Sequence, residues 1–177
     1  MLDGEKQLIE SAVRGEASAF GRLYDHYQPM IYRFVLVKTS RREEAEDLTH
    51  QIFVNAWQNI GRYREMGFPF SSWLYRIARN QIVDFYRSQK RTVSIDDVDP
   101  EYFAVTGEAT LAVETKLEME RALSAVRSLK ADYQDVILMR FVEDLSLKEV
   151  AEALGKSEGA VKLVQHRALQ KLRTILS

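Results

Sequence analysis

Residues Gly61–Arg91 read GRYREMGFPFSSWLYRIARNQIVDFYRSQKR and carry seven Lys/Arg, two acids and seven aromatic rings: Tyr63, Phe68, Phe70, Trp73, Tyr75, Phe85 and Tyr86. A core helix rarely holds so much positive charge, and a solvated basic helix rarely holds so many rings. Together they describe a surface that neutralises phosphates and stacks unpaired bases. They also fit an amphipathic helix with its Lys/Arg on the wet face and its rings in a core. The loop before the helix is the informative part, because Arg62, Tyr63, Arg64, Phe68 and Phe70 are too basic and too aromatic for a routine connection. A base extruded from a duplex needs a stacking ring and donors for its edge. Arg76 and Asn80 supply such donors, and Trp73 to Arg87 form a phosphate rail and scaffold behind the pocket. Phe70 and Trp73 equally suit a hydrophobic staple at the helix start.

The chain of 177 residues fits one large domain or two small ones. With three prolines and eight glycines it favours helices throughout, so the expected class is all-α. It has no cysteine, which excludes disulfides, thiolate metal sites and a Cys nucleophile. Asp3 and Glu5 stand where a signal peptide would have its basic start, and no apolar run is long enough to span a bilayer. A cytoplasmic protein without membrane insertion is expected.

The net charge of −1 hides strong segregation. Residues 1–60 carry 7 basic and 9 acidic groups, and residues 61–91 carry 7 and 2, a net +5. Residues 92–120 carry 1 and 8, a net −7, while 121–145 balance at 4 and 4 and 146–177 carry 6 and 3, a net +3. Two basic blocks therefore flank an acidic connector.

Apolar steps of three and four residues predict helices over Leu2–Val13, Ala17–Val37 (kinked or broken at Pro29) and Thr39/Ser40 to Trp57. Ala45, Leu48, Ile52, Phe53 and Ala56 share one face of the last of these. Ser71 or Ser72 is expected to cap a helix to Tyr86 with Leu74, Ile77, Ala78, Ile82 and Phe85 inward. Helical periodicity is lost over 92–112, which reads as a linker between a helical domain at 1–91 and a second at 113–177. There, helices are expected over Val113–Ser128 and Ala131–Phe141, the second with Tyr133, Val136, Ile137 and Phe141 apolar.

The last stretch, SLKEVAEALGKSEGAVKLVQHRALQKLRTILS, holds a capping box (Ser146, Glu149), a breaking Gly155 and a second cap at Ser157. A helix, a glycine turn and a second helix with Ala151 at the crossing make a helix-turn-helix pattern. Ser157 opens the second helix, which turns Glu158, Lys162, His166, Gln170 and Arg173 outward with Arg167 close by, types that meet phosphates and base edges. Leu163 suits a thymine methyl if outward and core packing if not. The three histidines have no partner at ligand spacing, and no nucleotide loop, zinc-protease or paired-carboxylate motif occurs, so no catalytic residue, metal or cofactor is expected. On residues alone, a self-sufficient DNA-binding repressor and a plain helical adaptor both remain open.

Three segments in order carry a family resemblance. AEDLTHQIFVNAW (Ala45–Trp57) is similar to the polymerase-binding helix of bacterial sigma factors of the extracytoplasmic-function type, the two-domain branch of the sigma-70 family. FSSWLYRIARNQIVDFYR (Phe70–Arg87) resembles the promoter-melting, minus-ten-reading segment, and SLKEVAEALGKSEGAVKLVQHRAL (Ser146–Leu169) the minus-thirty-five-reading helix-turn-helix. His50 departs from the family's usual Gln, and Leu163 and Val164 replace a common Ser-Arg pair. The resemblance implies a non-catalytic specificity subunit. It implies core polymerase bound at its clamp helices and flap through Asp47, Leu48, Gln51, Phe53 and Trp57. Minus-ten DNA would be held by Arg62, Tyr63, Arg64, Phe70, Trp73, Arg76, Asn80 and Arg87, and minus-thirty-five DNA by Ser157, Glu158, Lys162, Leu163, His166 and Arg167. Promoter DNA is thus an implied partner, and an anti-sigma factor a further one.

Overall fold

A computed structural model describes residues 3–64, 68–88 and 113–177, with side chains of the last stretch from 117 onward. The expected linker at 92–112 lies outside them. Eight α-helices make up the described residues: α1 (Glu5–Val13), α2 (Ala17–Thr39), α3 (Arg42–Asn59), α4 (Phe70–Ser88), α5 (Val113–Arg127), α6 (Ala131–Ile137), α7 (Leu147–Leu154) and α8 (Glu158–Leu176).

The first four form one unit because each presents an apolar stripe at helical spacing. Leu23, Tyr27, Ile31 and Phe34 of α2 meet Ala45, Leu48, Ile52 and Ala56 of α3 and Phe70, Leu74, Ala78 and Ile82 of α4, all buried. The rings of Tyr27, Phe70, Tyr63 and Trp73 adjoin one another with centroids 5.3–5.6 Å apart, tilted or edge-on, as quadrupoles prefer. In the second unit α8 packs on α6, α7 and α5, and Val136, Met139, Val150 and Val161 are fully buried there. The capping box forms as read: the Ser146 hydroxyl accepts from the Glu149 amide at 3.2 Å, and Glu149 reaches back to the Ser146 amide. Gly155 then takes the left-handed conformation (φ 62°) that turns α7 into α8, and Ser157 accepts from the Ala160 amide at 3.2 Å.

Several local expectations are corrected. α2 runs unbroken through Pro29, whose position is exposed, so water can serve the carbonyl left unpaired. Neither Thr39 nor Ser40 caps α3. Ser40 ends α2 in the left-handed region (φ 61°), the Thr39 hydroxyl bonds back to the Val35 carbonyl at 3.1 Å, and Arg41 stands at the cap position. Nor do Ser71 and Ser72 cap α4, which begins at Phe70 with Ser72 buried inside its first turn. Beyond Ile137 the chain widens into a π turn at Leu138–Val142, and the added residue rotates Phe141 outward to 54% exposure.

The two units are not separate. α4 packs against α7 and α2 against α5, and one apolar cluster runs from Leu8 to Val161. Polar contacts cross the same boundary. Asp135 of α6 pairs with Lys38 of α2 and, at 2.9 Å, with Arg79 Nε of α4. Glu143 takes both Nε (3.3 Å) and Nη2 (2.9 Å) of Arg33. The Glu152 carboxylate pairs with Arg76.

Two stability changes are expected. Phe70→Ala removes a 1% exposed ring from the first unit's core, and should cost about 3–5 kcal/mol in urea denaturation. Gly155→Ala forces a Cβ into the left-handed region and should cost about 1–2 kcal/mol by the same measurement.

Candidate nucleic-acid and polymerase surfaces

Helix α8 gathers every residue expected of the minus-thirty-five surface. With Val161 and Ala168 buried on one side, the 3.6-residue period leaves Glu158, Lys162 and His166 in one exposed row and Leu163 and Arg167 in the next. Ser157 sits exposed at its N-terminus, where the free amides favour an anion. Leu163 points outward at 49% exposure, so core packing does not account for it. Gln165 instead turns inward, accepting from Arg140 Nε at 3.3 Å.

The block at 61–88 divides into rings that pack and cations that surround them. Tyr63 and Phe70 are buried, which corrects the expectation that they offer faces to a base. Phe70 opens α4 on the side that follows Leu74 and Ala78 into the core, so its ring braces the site from behind. Trp73 is half-buried and remains available at the surface. A cavity of about 280 Å³ opens here, walled by Arg62, Tyr63, Arg64, Phe68, Trp73 and Arg76, with Pro69 and Glu152 completing it. Arg64 folds over its own backbone, donating to the carbonyls of Gly61 (3.1 Å) and Tyr63 (3.0 Å), while Arg62 stands exposed. Asn80 and Arg87 are exposed on later turns of α4, outside the cavity, and Arg87 lies 3.6 Å from Asp84.

Two features of this face carry no local signal in the sequence. Arg79 is held by Asp135 and, through Nη2 at 3.0 Å, by Asp132. Burial opposes its charge, but the two carboxylates outweigh burial and raise its pKa. Burial likewise opposes the Asp132 carboxylate, yet Lys156 and Arg79 draw its pKa below the usual value. Glu152, from the first helix of the helix-turn-helix, forms part of the cavity wall. Nearby, burial and then the charge of Glu143 raise the Tyr75 phenol well above its ordinary range, and burial lifts Glu143 itself despite Arg33.

On α3 the expected polymerase set splits by helical phase. Asp47 and Gln51 are exposed one turn apart, but Leu48 and Phe53 belong to the core and Trp57 is half-buried against Phe20. Leu48 and Phe53 are therefore corrected from contact residues to supporting ones, since the inward period 45, 48, 52, 56 claims that side. The exposed face continues through His50 and Val54, the latter 40% exposed and missed in the sequence reading. Its position three residues after Gln51 and seven after Asp47 was the available clue.

Comparison with known proteins agrees with this layout. Residues 23–92 match the family described as Sigma-70 region 2, and residues 125–174 match Sigma-70, region 4. The ECF RNA polymerase sigma factor BldN of Streptomyces coelicolor is 36% identical over 180 residues, covering 96% of this chain and 65% of its own length. This chain thus spans about two thirds of that relative. Among solved structures, CnrH in complex with the cytosolic domain of CnrY shares the fold, with a TM-score of 0.74, 24% identity and 97% and 96% of the two chains covered. So does the sigma factor RpoE in complex with the anti-sigma factor NepR from Bartonella quintana, with a TM-score of 0.70, 23% identity and 89% and 96% covered. Two helical units, region 2 followed by region 4 and the three surfaces in that order lead to one conclusion: the chain belongs to the sigma-70 family, in its extracytoplasmic-function branch.

Proposed function

We propose that the protein is an alternative sigma factor, a dissociable subunit that directs core RNA polymerase to a particular set of promoters. The observation that carries this is the succession of region 2 and region 4, with α8 presenting its whole predicted reading face to solvent. Residues 1–91 act as the unit that binds polymerase and opens the minus-ten element. Residues 113–177 act as the unit that reads the minus-thirty-five element, and 92–112 join them. Asp47, Gln51 and the neighbouring Val54 meet the polymerase clamp helices. In the major groove, Lys162 and Arg167 pair with phosphates or guanine edges while Leu163 meets a thymine methyl. At minus ten, Arg62, Trp73 and Arg76 border the cavity for an extruded base, with Asn80 and Arg87 further along the strand. Its site of action is the cytoplasm, and bond making belongs to the polymerase. An anti-sigma factor is the natural antagonist, by analogy with the RpoE–NepR complex.

In vitro transcription with purified core polymerase over a genomic promoter library tests this reading. Specific initiation should appear only when the protein and core polymerase are both present. A footprint on duplex DNA at physiological salt by the protein alone, with no specific initiation on adding core, would instead indicate a repressor. Lys162→Glu and Arg167→Glu should each lower specific initiation about tenfold or more with an unchanged circular dichroism spectrum, since a good base or phosphate contact carries about 1–3 kcal/mol.

Asp47→Arg should weaken association with core polymerase in a pull-down while the melting curve stays at wild type. Leu48→Ala should do the reverse in kind, lowering stability by about 2–5 kcal/mol because it empties a core position. Weakened binding by a stably folded Leu48→Ala variant would return Leu48 to the contact face.

A further inference from the structure

A cavity of about 640 Å³ opens beside the later turns of α4, where α2, α5 and α6 meet it. That volume lies within the range of about 300–1,000 Å³ usual for small-molecule sites. Its apolar side is made by Val37, Ile82, Val83 and the Tyr86 ring, and Val83 is 42% exposed. Its polar side carries the cations Lys38, Arg79 and Arg127.

Two of these cations are already answered. Lys38 pairs with Asp135, and Arg79 lies between Asp135 (2.9 Å) and Asp132 (3.0 Å). Arg127 has no such partner. Its Nε and Nη2 are closed to water and find no hydrogen-bond acceptor among the described residues. Burial lowers its pKa, with no carboxylate to oppose the shift. The side chain nonetheless lines the cavity and is partly exposed, so its charge is within reach there.

An arginine at a helix C-terminus ordinarily serves the last carbonyls of that helix. Arg127 ends α5, but those carbonyls are taken by other groups. The Ser128 hydroxyl donates to the Ala125 carbonyl at 2.8 Å, and the Ser128 and Leu129 amides reach the carbonyls of Ser124 and Val126, both at 3.1 Å. Gln134 Nε2 donates to the carbonyls of Arg127 (2.8 Å) and Leu129 (3.0 Å). The guanidinium therefore has no task within its own helix. A dry, unpaired donor on a cation is unfavourable, and a native fold that keeps one calls for a reason.

We propose that this cavity binds a small organic anion, its carboxylate or phosphate on Arg127 and its apolar body against Val37, Ile82, Val83 and Tyr86. The Ser40 and Ser124 hydroxyls on the cavity wall offer further donors to the head group. A bare inorganic anion would meet Arg127 and leave the apolar wall uncovered. A neutral apolar molecule would leave the guanidinium unpaired. The ligand therefore needs both parts. Arg127 lies on none of the DNA or polymerase surfaces, so the site stands apart from the promoter role.

Isothermal titration calorimetry of the full chain tests this with 2-naphthoate, 2-naphthyl phosphate, the neutral 2-naphthol and inorganic phosphate. At least one naphthyl anion should bind one to one, about tenfold or more tighter than 2-naphthol or inorganic phosphate. Binding of both naphthyl anions supports a site open to either head group, and binding of one alone fixes the class. Arg127→Gln should weaken the anion about tenfold or more and leave 2-naphthol unmoved, while Arg127→Lys, which keeps the charge, should lose less. Val83→Asp puts a like charge at the exposed rim and should also weaken the anion, which keeps the test open if Arg127→Gln does not fold.

No saturable binding of either naphthyl anion would overturn the proposal, as would equally tight binding of 2-naphthol. Inorganic phosphate binding as well as 2-naphthyl phosphate would overturn it too, because the apolar wall would then contribute nothing. An anion whose affinity is the same in wild type, Arg127→Gln and Val83→Asp sits elsewhere, and the cavity loses its assignment.

Discussion

The buried carboxylate of Asp135 is the constraint around which the two halves are arranged. Its side chain is only 2% exposed, and it is met by Lys38 from α2 and Arg79 from α4. An ionised carboxylate taken out of water loses several kcal/mol of hydration, which a single cation seldom restores. Two cations from two different helices restore it here, and only at one relative placement of the units. Apolar contact alone would tolerate sliding between α4 and α7, because hydrophobic burial is not directional. The fork of Arg33 on Glu143 adds a second directional constraint at the opposite end of the junction.

That arrangement reassigns the charges of the chain. Residues 121–145 hold equal numbers of acids and bases and look unremarkable in sequence. Three of those acids, Asp132, Asp135 and Glu143, turn out to be the ligands of cations in the first unit. A block that is neutral in sum thus supplies the carboxylates that meet the cations of α2 and α4. The aromatic block has an equally divided role. Tyr63 and Phe70 supply packing that fixes the start of α4, and Trp73 with the surrounding arginines supplies the accessible chemistry. A sequence scan weighs seven rings equally, whereas the helix phase sorts them.

What could be read from the chain alone follows the range of the interaction concerned. The inward faces of α2, α3 and α4 were legible because helical period is a local property, and the Ser146–Glu149 box and Gly155 because capping spans a few residues. The three resembling segments identified the family for the same reason. The helix expected to run to Phe141 ends at Ile137 because a π turn follows with no distinctive residue to announce it. Ser72 went astray because a serine just inside a helix looks like one just before it. Leu48 and Phe53 were taken from a pattern shared by contact residues and their supports. The junction was illegible for a stronger reason. Its pairs are separated by 97, 56, 110 and 76 residues, and no local rule links Lys38 or Arg79 to Asp135, Arg33 to Glu143, or Arg76 to Glu152.

The junction joins the units by ionic contacts as well as apolar ones, and Arg33, Arg76 and Arg79 of the first unit each meet a carboxylate of the second. A hydrophobic cover over α4 would leave an apolar face when removed, costly in water and useless to phosphate. Carboxylates leave behind arginines already placed and already facing the ligand's charge. Arg76 and Arg79 are placed by an α4 whose Leu74, Ala78 and Ile82 are buried in the apolar cluster beneath them. A carboxylate and a phosphodiester each offer an arginine one negative charge and oxygen acceptors.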